Sequence, residues 1–375
     1  MNMVRSFLPV GQGAFYTEQF DGGVNVIYDC GSQTGVEIVE KMIESTFDKG
    51  EEIHAVFISH LHSDHINGLE FLLKHCKVKT LYLPYLTPHN ISISELIQDV
   101  TQGGCTQFVR AFIHDSHRTL KMYCERNEIE LPEIKYVLSQ DDANNMGQQI
   151  EPNDKRYLFP GEPVYIPVAS PDARWKYIPY NVQNTERKNK LIDELKKIEV
   201  NANDKESIKR KMSTKSGMVE IRKAYEKVLG ELNTNSMVVY SGPDSKDRSV
   251  AVQRFIVNPF VSRGCYDCCV FKRPGCLYMG DFDASETSNF ISLENYYHDY
   301  WGEIGILQVP HHGSKHNFNA DLLAKACFYI ISAGAENKYK HPHAKVLKEI
   351  ISRRQPFAWV TEKVDSAIHF AVSNR

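Results

Sequence analysis

Residues 55–72 read AVFISHLHSDHINGLEFL: an apolar run, then a crowd of metal-binding side chains, then an amphipathic run. Ala55, Val56, Phe57, Ile58 and Ser59 are apolar or small, as in a buried strand. His60, His62, Asp64 and His65 follow directly, so the order predicts a strand that ends in a metal site. On an extended backbone alternate side chains share a face, which lets His60 and His62 point together at one ion. A turn after Ser63 delivers Asp64 and His65 to a second ion close by. Imidazole and carboxylate without thiolate suit zinc, manganese or iron in an open catalytic site rather than a closed structural zinc. The alternative is a histidine-rich turn with no ligand role; H-x-H-x-D-H spacing directly after an apolar strand favours the metal.

The chain of 375 residues holds one large domain or two and can bury a sizeable core. A formal charge of −3 excludes a global polycation, so contact with nucleic acid must come from a local patch. No charged-then-apolar leader precedes Met3–Val10, which reads as strand, and no apolar run approaches a membrane-spanning length of about 18 residues. The expectation is a soluble, cytoplasmic protein without a membrane partner. Nine cysteines, an odd and scattered set, fit reduced thiols rather than a disulfide framework. Cys265, Cys268, Cys269 and Cys276 form a group that can chelate a structural zinc.

Outward from the metal stretch, Asp29 stands at a strand end just before Gly31. It either holds a loop or orients a metal-bound histidine, and the second role is favoured. Helices are expected over 36–47 and 66–76, with further helical spacing over 92–127, where His114 and His117 read as surface or core histidines. LPEIKYVLSQ and EPVYIPVASP read as strands. Residues 183–231 carry thirteen Lys or Arg against nine Asp or Glu and predict two polar helices, about 184–200 and 204–230. Such charge runs are usually solvated faces. Lys209, Arg210 and Lys211 within KRKMSTK are nevertheless the best candidates for contact with a phosphate backbone.

Three later strands also stop at functional residues. CLYMGDFDA ends in Gly280-Asp281, which pushes one carboxylate into a site. EIGILQVPHHGSKHN ends in His311 and His312, followed by Ser314 and Lys315. Two adjacent histidines cannot both face one point without a bend, so one is expected as a ligand and the other against substrate or behind a ligand. ACFYIISAGAENKYKHPH leads to Tyr339 and His341. Sites in layered α/β folds gather at one edge of the sheets, where strands deliver such side chains.

Asp29, His60-x-His62-x-Asp64-His65, Gly280-Asp281 and the strand-end histidine occur in the order of the metallo-β-lactamase fold superfamily, which the chain resembles. VGQG at 10–13, NTNSMVV at 233–239, VPHHGSK at 309–315 and ISAGAENKYKHPH at 331–343 resemble one branch, the C-terminal hydrolase domain of the competence protein ComEC and its stand-alone relatives. Departures are Pro9 and Ala14, where that branch carries aspartates, and Asn233, Asn235 and Ser236, where a third-motif histidine would stand. No transmembrane channel is present, so the DNA-uptake role does not carry over. The resemblance implies an α/β fold, a four-layer αβ/βα sandwich, as one domain over 1–375 with a charged helical insertion at about 183–231.

It also implies two divalent metal ions, zinc or manganese, with magnesium as a further candidate, about 3.5 Å apart. One would be held by His60, His62 and Asp281, the other by Asp64, His65, Asp281 and His311 or His312, with Asp29, Asn235 and Ser314 behind the ligands. Cations so placed lower the pKa of a bound water toward about 7. Asp64 would hold its proton, Lys315 would stabilise phosphate charge, and His341 would protonate the leaving group. Tyr339, with Lys315 and Lys209–Lys211, would contact substrate. The implied activity is a phosphodiester hydrolase, foremost a nuclease acting on DNA. The alternatives are hydrolysis of a small phosphodiester or ester, and a weakly catalytic binding subunit of a larger, phage-defence assembly with a protein partner or a second copy.

Overall fold

Two sheets face each other across a layer of aromatic and aliphatic side chains. The computed structural model describes residues 2–101, 106–146, 154–167, 174–183, 185–202, 204–228, 235–244, 251–256 and 270–374. Among these, the larger sheet has Asn2–Phe7, Gly13–Phe20, Val24–Ser32, Ala55–Phe57, Thr80–Pro84 and Glu133–Val137 as consecutive neighbours, with Ile368–Asn374 closing against Asn2–Phe7. From Val24–Ser32 to Glu133–Val137 the pairing is parallel. The second sheet runs Val164–Ile166, Trp175–Gln183, Asn235–Pro243, Gly275–Tyr278, Ile304–Gln308, Phe328–Ser332 and Phe357–Val360, its last four strands parallel.

Strand alternation explains the layering, because residues on one face of each strand turn inward and those on the other turn outward. Phe7, Tyr16, Tyr28, Phe57, Tyr278, Ile306 and Ile330 fill the space between the sheets. Ile27, Val56 and Leu81 face the opposite way, toward helical residues Val39, Leu72 and Phe112. Leu277, Leu307 and Tyr329 do the same on the second sheet, against Phe290, Leu293 and Val346. The result is the four-layer α/β sandwich. Each fully buried aliphatic or aromatic side chain contributes roughly 1.5–3 kcal/mol relative to exposure.

The inserted segment forms three helices, Thr185–Lys196, Lys205–Met212 and Lys215–Glu226, where the charge pattern predicts two. The extra break is chemical: Thr214 is an N-cap whose hydroxyl accepts from the Gly217 N–H at 3.0 Å, starting a new helix after Ser213. The insertion is not a solvated outgrowth, since Leu191, Leu195, Ile208, Ile221 and Ala224 pack with Ile93 and Leu96 of the helix Pro88–Thr101. The proposed cysteine cluster falls partly outside the described residues; Cys276 itself is buried in the strand Gly275–Tyr278 between the sheets. Among the described residues, no helix is long and apolar enough to cross a membrane.

Both parallel blocks end at the same edge. His60, Asp281, His311 and His341 lie beyond the carboxyl ends of Ala55–Phe57, Gly275–Tyr278, Ile304–Gln308 and Phe328–Ser332, the position where open α/β sheets place ligands.

Candidate metal centre

The strand at Ala55–Phe57 stops before the histidines, and the chain then turns into a short helix, Ser63–Ile66. That turn buries His60, His62, Asp64 and His65 together. It also presses the Asp64 backbone onto Gly31, where an added Cβ would lie 2.5 Å from the Asp64 carbonyl carbon. Only glycine allows this approach. Gly280, at φ +52°, serves the second sheet in the same way, because an added Cβ would meet Ser59 at 2.6 Å.

Distant segments converge on this turn. Asp281 Oδ2 lies 3.5 Å from His60 Nε2 and 3.6 Å from His311 Nε2. Its other oxygen, Oδ1, lies 3.4 Å from His65 Nε2. Asp64 Oδ2 lies 3.5 Å from His312 Nε2 and 4.0 Å from His65 Nε2. Three overlapping sets each bring their ligand atoms within 4.8 Å: His60 with His62 and Asp64, His60 with His65 and Asp281, and Asp64 with His65 and His312. Asp64 thus belongs to the first set as well as the third, whereas the sequence assigns it to one ion.

The sequence leaves open which of His311 and His312 is a ligand, and the structure brings both rings to the cluster. Both residues have positive φ, +50° and +55°, inside a tight turn after Gln308. This is the bend that the adjacent pair requires, and it aims His311 at Asp281 and His312 at Asp64. His311 and His60 therefore stand on the same carboxylate oxygen, Asp281 Oδ2.

Groups behind the cluster fix ring orientation. Asp29 Oδ2 is 2.7 Å from His65 Nδ1. Asp29 also accepts from the Ser59 N–H and hydroxyl, each at 2.7 Å, and Ser59 Oγ lies 3.0 Å from His60 Nδ1. The Ser332 carbonyl is 2.8 Å from His312 Nδ1. Ser236 Oγ accepts from the Asp281 N–H at 3.2 Å, and Gln308 Oε1 accepts from the Met279 and Gly280 N–H groups. Sequence reading missed Ser59, Gln308 and Ser332 as contributors; Ser59 and Gln308 each stand one to three residues before a histidine, the one signal that could have marked them. Ser314 accepts from the His316 N–H at 3.2 Å and shapes its own loop. Asn235 pairs through its backbone with Gln183 at a strand end, and its side chain is not among those described.

Electrostatics follow from this crowding. Burial pulls His65 toward its neutral form, yet Asp29, Asp281 and Asp64 outweigh it and raise its pKa well above 6.5. Burial and the neighbouring His65 hold His60 well below the usual histidine range. Burial disfavours the Asp64 and Asp281 carboxylates, but surrounding imidazoles hold both below their usual range. The cluster is therefore a negative cavity that a proton on His65 partly neutralises.

A divalent cation fits that cavity. His60 Nε2, His65 Nε2, His312 Nε2 and Asp64 Oδ1 are buried without a hydrogen-bond partner. Each such orphan costs about 1–3 kcal/mol, and all belong to groups that ligate zinc or manganese.

The remaining expected residues divide. His341 is near the centre, its ring 5.7 Å from His311 and 6.3 Å from His312, with Tyr339 stacked on it at 5.8 Å. Burial, then His311 and His312, push its pKa down to about 2. Lys315 is exposed on the loop after Ser314. Lys209, Arg210 and Lys211 lie on the inserted helix Lys205–Met212, where Lys209 pairs with Glu206 at 3.3 Å and Lys211 with Glu220 at 2.6 Å. Among the described contacts, none joins these three to the His/Asp cluster.

Residues 14–122 match the family model of the Metallo-beta-lactamase superfamily. Ribonuclease J of Mycoplasma pneumoniae is 26% identical over 155 residues, which cover 38% of this chain and 26% of that protein. The chain thus spans about a quarter of the length of that relative. Among solved structures, the metallo-beta-lactamase fold protein YhfI from Bacillus subtilis aligns with a TM-score of 0.39 and 10% identity over 96% of this chain and 97% of that one. A long form RNase Z from yeast aligns with a TM-score of 0.36 and 13% identity over 88% of this chain and 36% of that one. The segment 14–122, which carries His60, His62, Asp64 and His65, thus matches a metallo-beta-lactamase superfamily domain.

Proposed function

We propose that the protein is a metal-dependent phosphodiester hydrolase, a nuclease acting on DNA, with two divalent cations at the centre. The observation that carries this reading is the convergence of five imidazoles and two carboxylates, His60, His62, His65, His311, His312, Asp64 and Asp281, with Asp64 and Asp281 standing between the histidines. Similarity to a ribonuclease over part of the chain supports a nucleic-acid substrate. The buried free thiols Cys30, Cys76, Cys124 and Cys276 fit a reducing compartment such as the cytoplasm.

His60, His62, Asp281 and His311 would hold one cation, and Asp64, His65, Asp281 and His312 the other. When bound, such cations acidify water and offset the charge of a phosphodiester in its transition state. Asp64 Oδ1, which has no hydrogen-bond partner, would accept a proton from the water that attacks phosphorus. Asp29 keeps the proton of His65 on Nδ1, leaving Nε2 free for ligation. His341, held neutral, orients a phosphate oxygen through its ring N–H, and Lys315 meets the flanking phosphate.

The test is cleavage of plasmid DNA, single-stranded DNA and RNA by the purified chain with manganese, zinc or magnesium, beside the Asp64→Ala and His62→Ala variants. The expected result is metal-dependent cleavage that both variants lose. Intact nucleic acid under every condition, with nitrophenol released from a small diester, would replace the nuclease reading by a small-diester hydrolase. No turnover of either substrate would leave a binding protein.

A further inference from the structure

Arg187 belongs to the inserted helix Thr185–Lys196, yet it is only 8% exposed. Its Nη2 lies 2.8 Å from Asp283 Oδ2. The same guanidinium donates to the His316 carbonyl and, through Nη1, to Asn317 Oδ1 at 3.5 Å. The two segments it touches both lead out of the metal centre: Asp283 follows Asp281, and His316 and Asn317 follow His311 and His312.

These segments are stitched to one another. Asn317 Nδ2 donates to the Asp281 carbonyl at 3.0 Å, and the Ala284 N–H donates to the Asn317 carbonyl at 3.0 Å. Ser285 Oγ donates to the His316 carbonyl at 2.6 Å and also lies 2.7 Å from Asp283 Oδ1. The guanidinium, carried by the charged insertion, closes this seam from outside.

We propose that Arg187 is a positioning residue for the metal centre. Its planar fork clamps residues 281–285 against residues 311–317, and so holds the Asp281 carboxylate and the two imidazoles at the separations that shared cations require. Arginine suits this task because several donors are fixed in one plane and can serve a carboxylate and two further acceptors together, whereas a lysine ammonium is a single point. The insertion is then a working part of the centre through its first helix, rather than through Lys209–Lys211. This inference rests on the metal-hydrolase reading; the rival account is that Arg187 merely anchors the inserted helices to the sandwich.

Cation binding separates the two. The full chain, stripped of metal, is titrated with zinc against a chromophoric chelator for wild type, Arg187→Met, Arg187→Lys and Lys196→Met, whose partner Asp193 forms an exposed pair on the same helix. Thermal melts of the metal-free proteins run in parallel. Residues that orient ligands typically alter metal affinity 10–100-fold, so Arg187→Met should bind zinc about 10–100-fold more weakly, Arg187→Lys should lie between it and wild type, and Lys196→Met should match wild type. If Arg187→Met does not fold, weakened binding by folded Arg187→Lys carries the test. A melting temperature that drops while zinc affinity stays at the wild-type value overturns the proposal and leaves the hydrolase reading intact. A wild-type chain that binds neither zinc nor manganese overturns both.

Discussion

Asp29 Oδ2 holds His65 Nδ1 at 2.7 Å, while the opposite ring nitrogen of His65 faces Asp281 Oδ1 at 3.4 Å. The carboxylate therefore sets both the tautomer and the aim of the imidazole. An Asp29→Asn substitution keeps the shape but turns one acceptor into a donor. We expect cation affinity about 10–100-fold weaker, read by chelator competition; an unchanged affinity would mean that Asp29 only holds its loop.

The same ring gives a pH dependence. With its pKa raised well above 6.5 by Asp29, Asp281 and Asp64, His65 carries a proton that a cation must displace. Zinc affinity is expected to rise as pH increases above about 6.5 and to level off once the pH passes the raised value. A flat profile from about pH 6 to 9 would show that His65 is not a ligand. Stability of the metal-free protein follows the opposite sign on this residue: its contribution is complete below about pH 6.5 and is lost as pH rises through the raised value. The depressed carboxyls of Asp64 and Asp281 contribute above about pH 4 and lose their contribution as pH falls.

Gly31→Ala tests the close approach beneath the centre. Its Cβ would lie 2.5–2.6 Å from the Asp64 carbonyl and the His65 nitrogen, and neither backbone can yield without moving the ligands. The expected cost is about 1–3 kcal/mol by urea unfolding, together with weaker zinc binding. Gly50→Ala, at a turn where nothing lies within 4 Å, should leave zinc binding unaltered.

Between the sheets, away from the centre, Arg5 Nε pairs with Glu18 Oε1 at 2.7 Å. Glu18 also accepts from Tyr177 at 2.5 Å, Tyr278 at 2.9 Å and Ser241 at 2.7 Å. Removing one charge strands the other in the core, so Arg5→Met should cost about 3–5 kcal/mol. Adding Glu18→Gln, which removes the stranded charge and keeps one of the two oxygens that accept from the tyrosines, should recover part of that loss in a double-mutant cycle. Additive losses would mean that the ion pair is energetically irrelevant.

Much of the centre was legible because its signals are local. H-x-H-x-D-H after an apolar run, Gly280-Asp281 and His311-His312 each place ligands at a strand end, and strand ends can be read from short-range periodicity. The division of labour between His311 and His312 was not legible, because it depends on two successive positive φ angles that nothing in the residue types demands. The packing of the insertion was not legible for a similar reason. Its charge count drew attention to Lys209–Lys211, of which Lys209 pairs with Glu206 on its own helix and Lys211 with Glu220 on the next, while one arginine among thirteen basic residues became buried only through the path of the chain.

The amino-acid order alone determined which chemistry was present, imidazole and carboxylate at the ends of apolar strands, since hydrophobic periodicity and ligand spacing are properties of neighbouring residues. Only the tertiary structure decided which of these side chains come within reach of one another, which of them Asp29 and Ser59 contact, where Arg187 is buried, and why Gly31 has no side chain. Those relations depend on parallel strands from two sheets ending at one edge, and contacts between segments so far apart in the chain exist only once both sheets have packed.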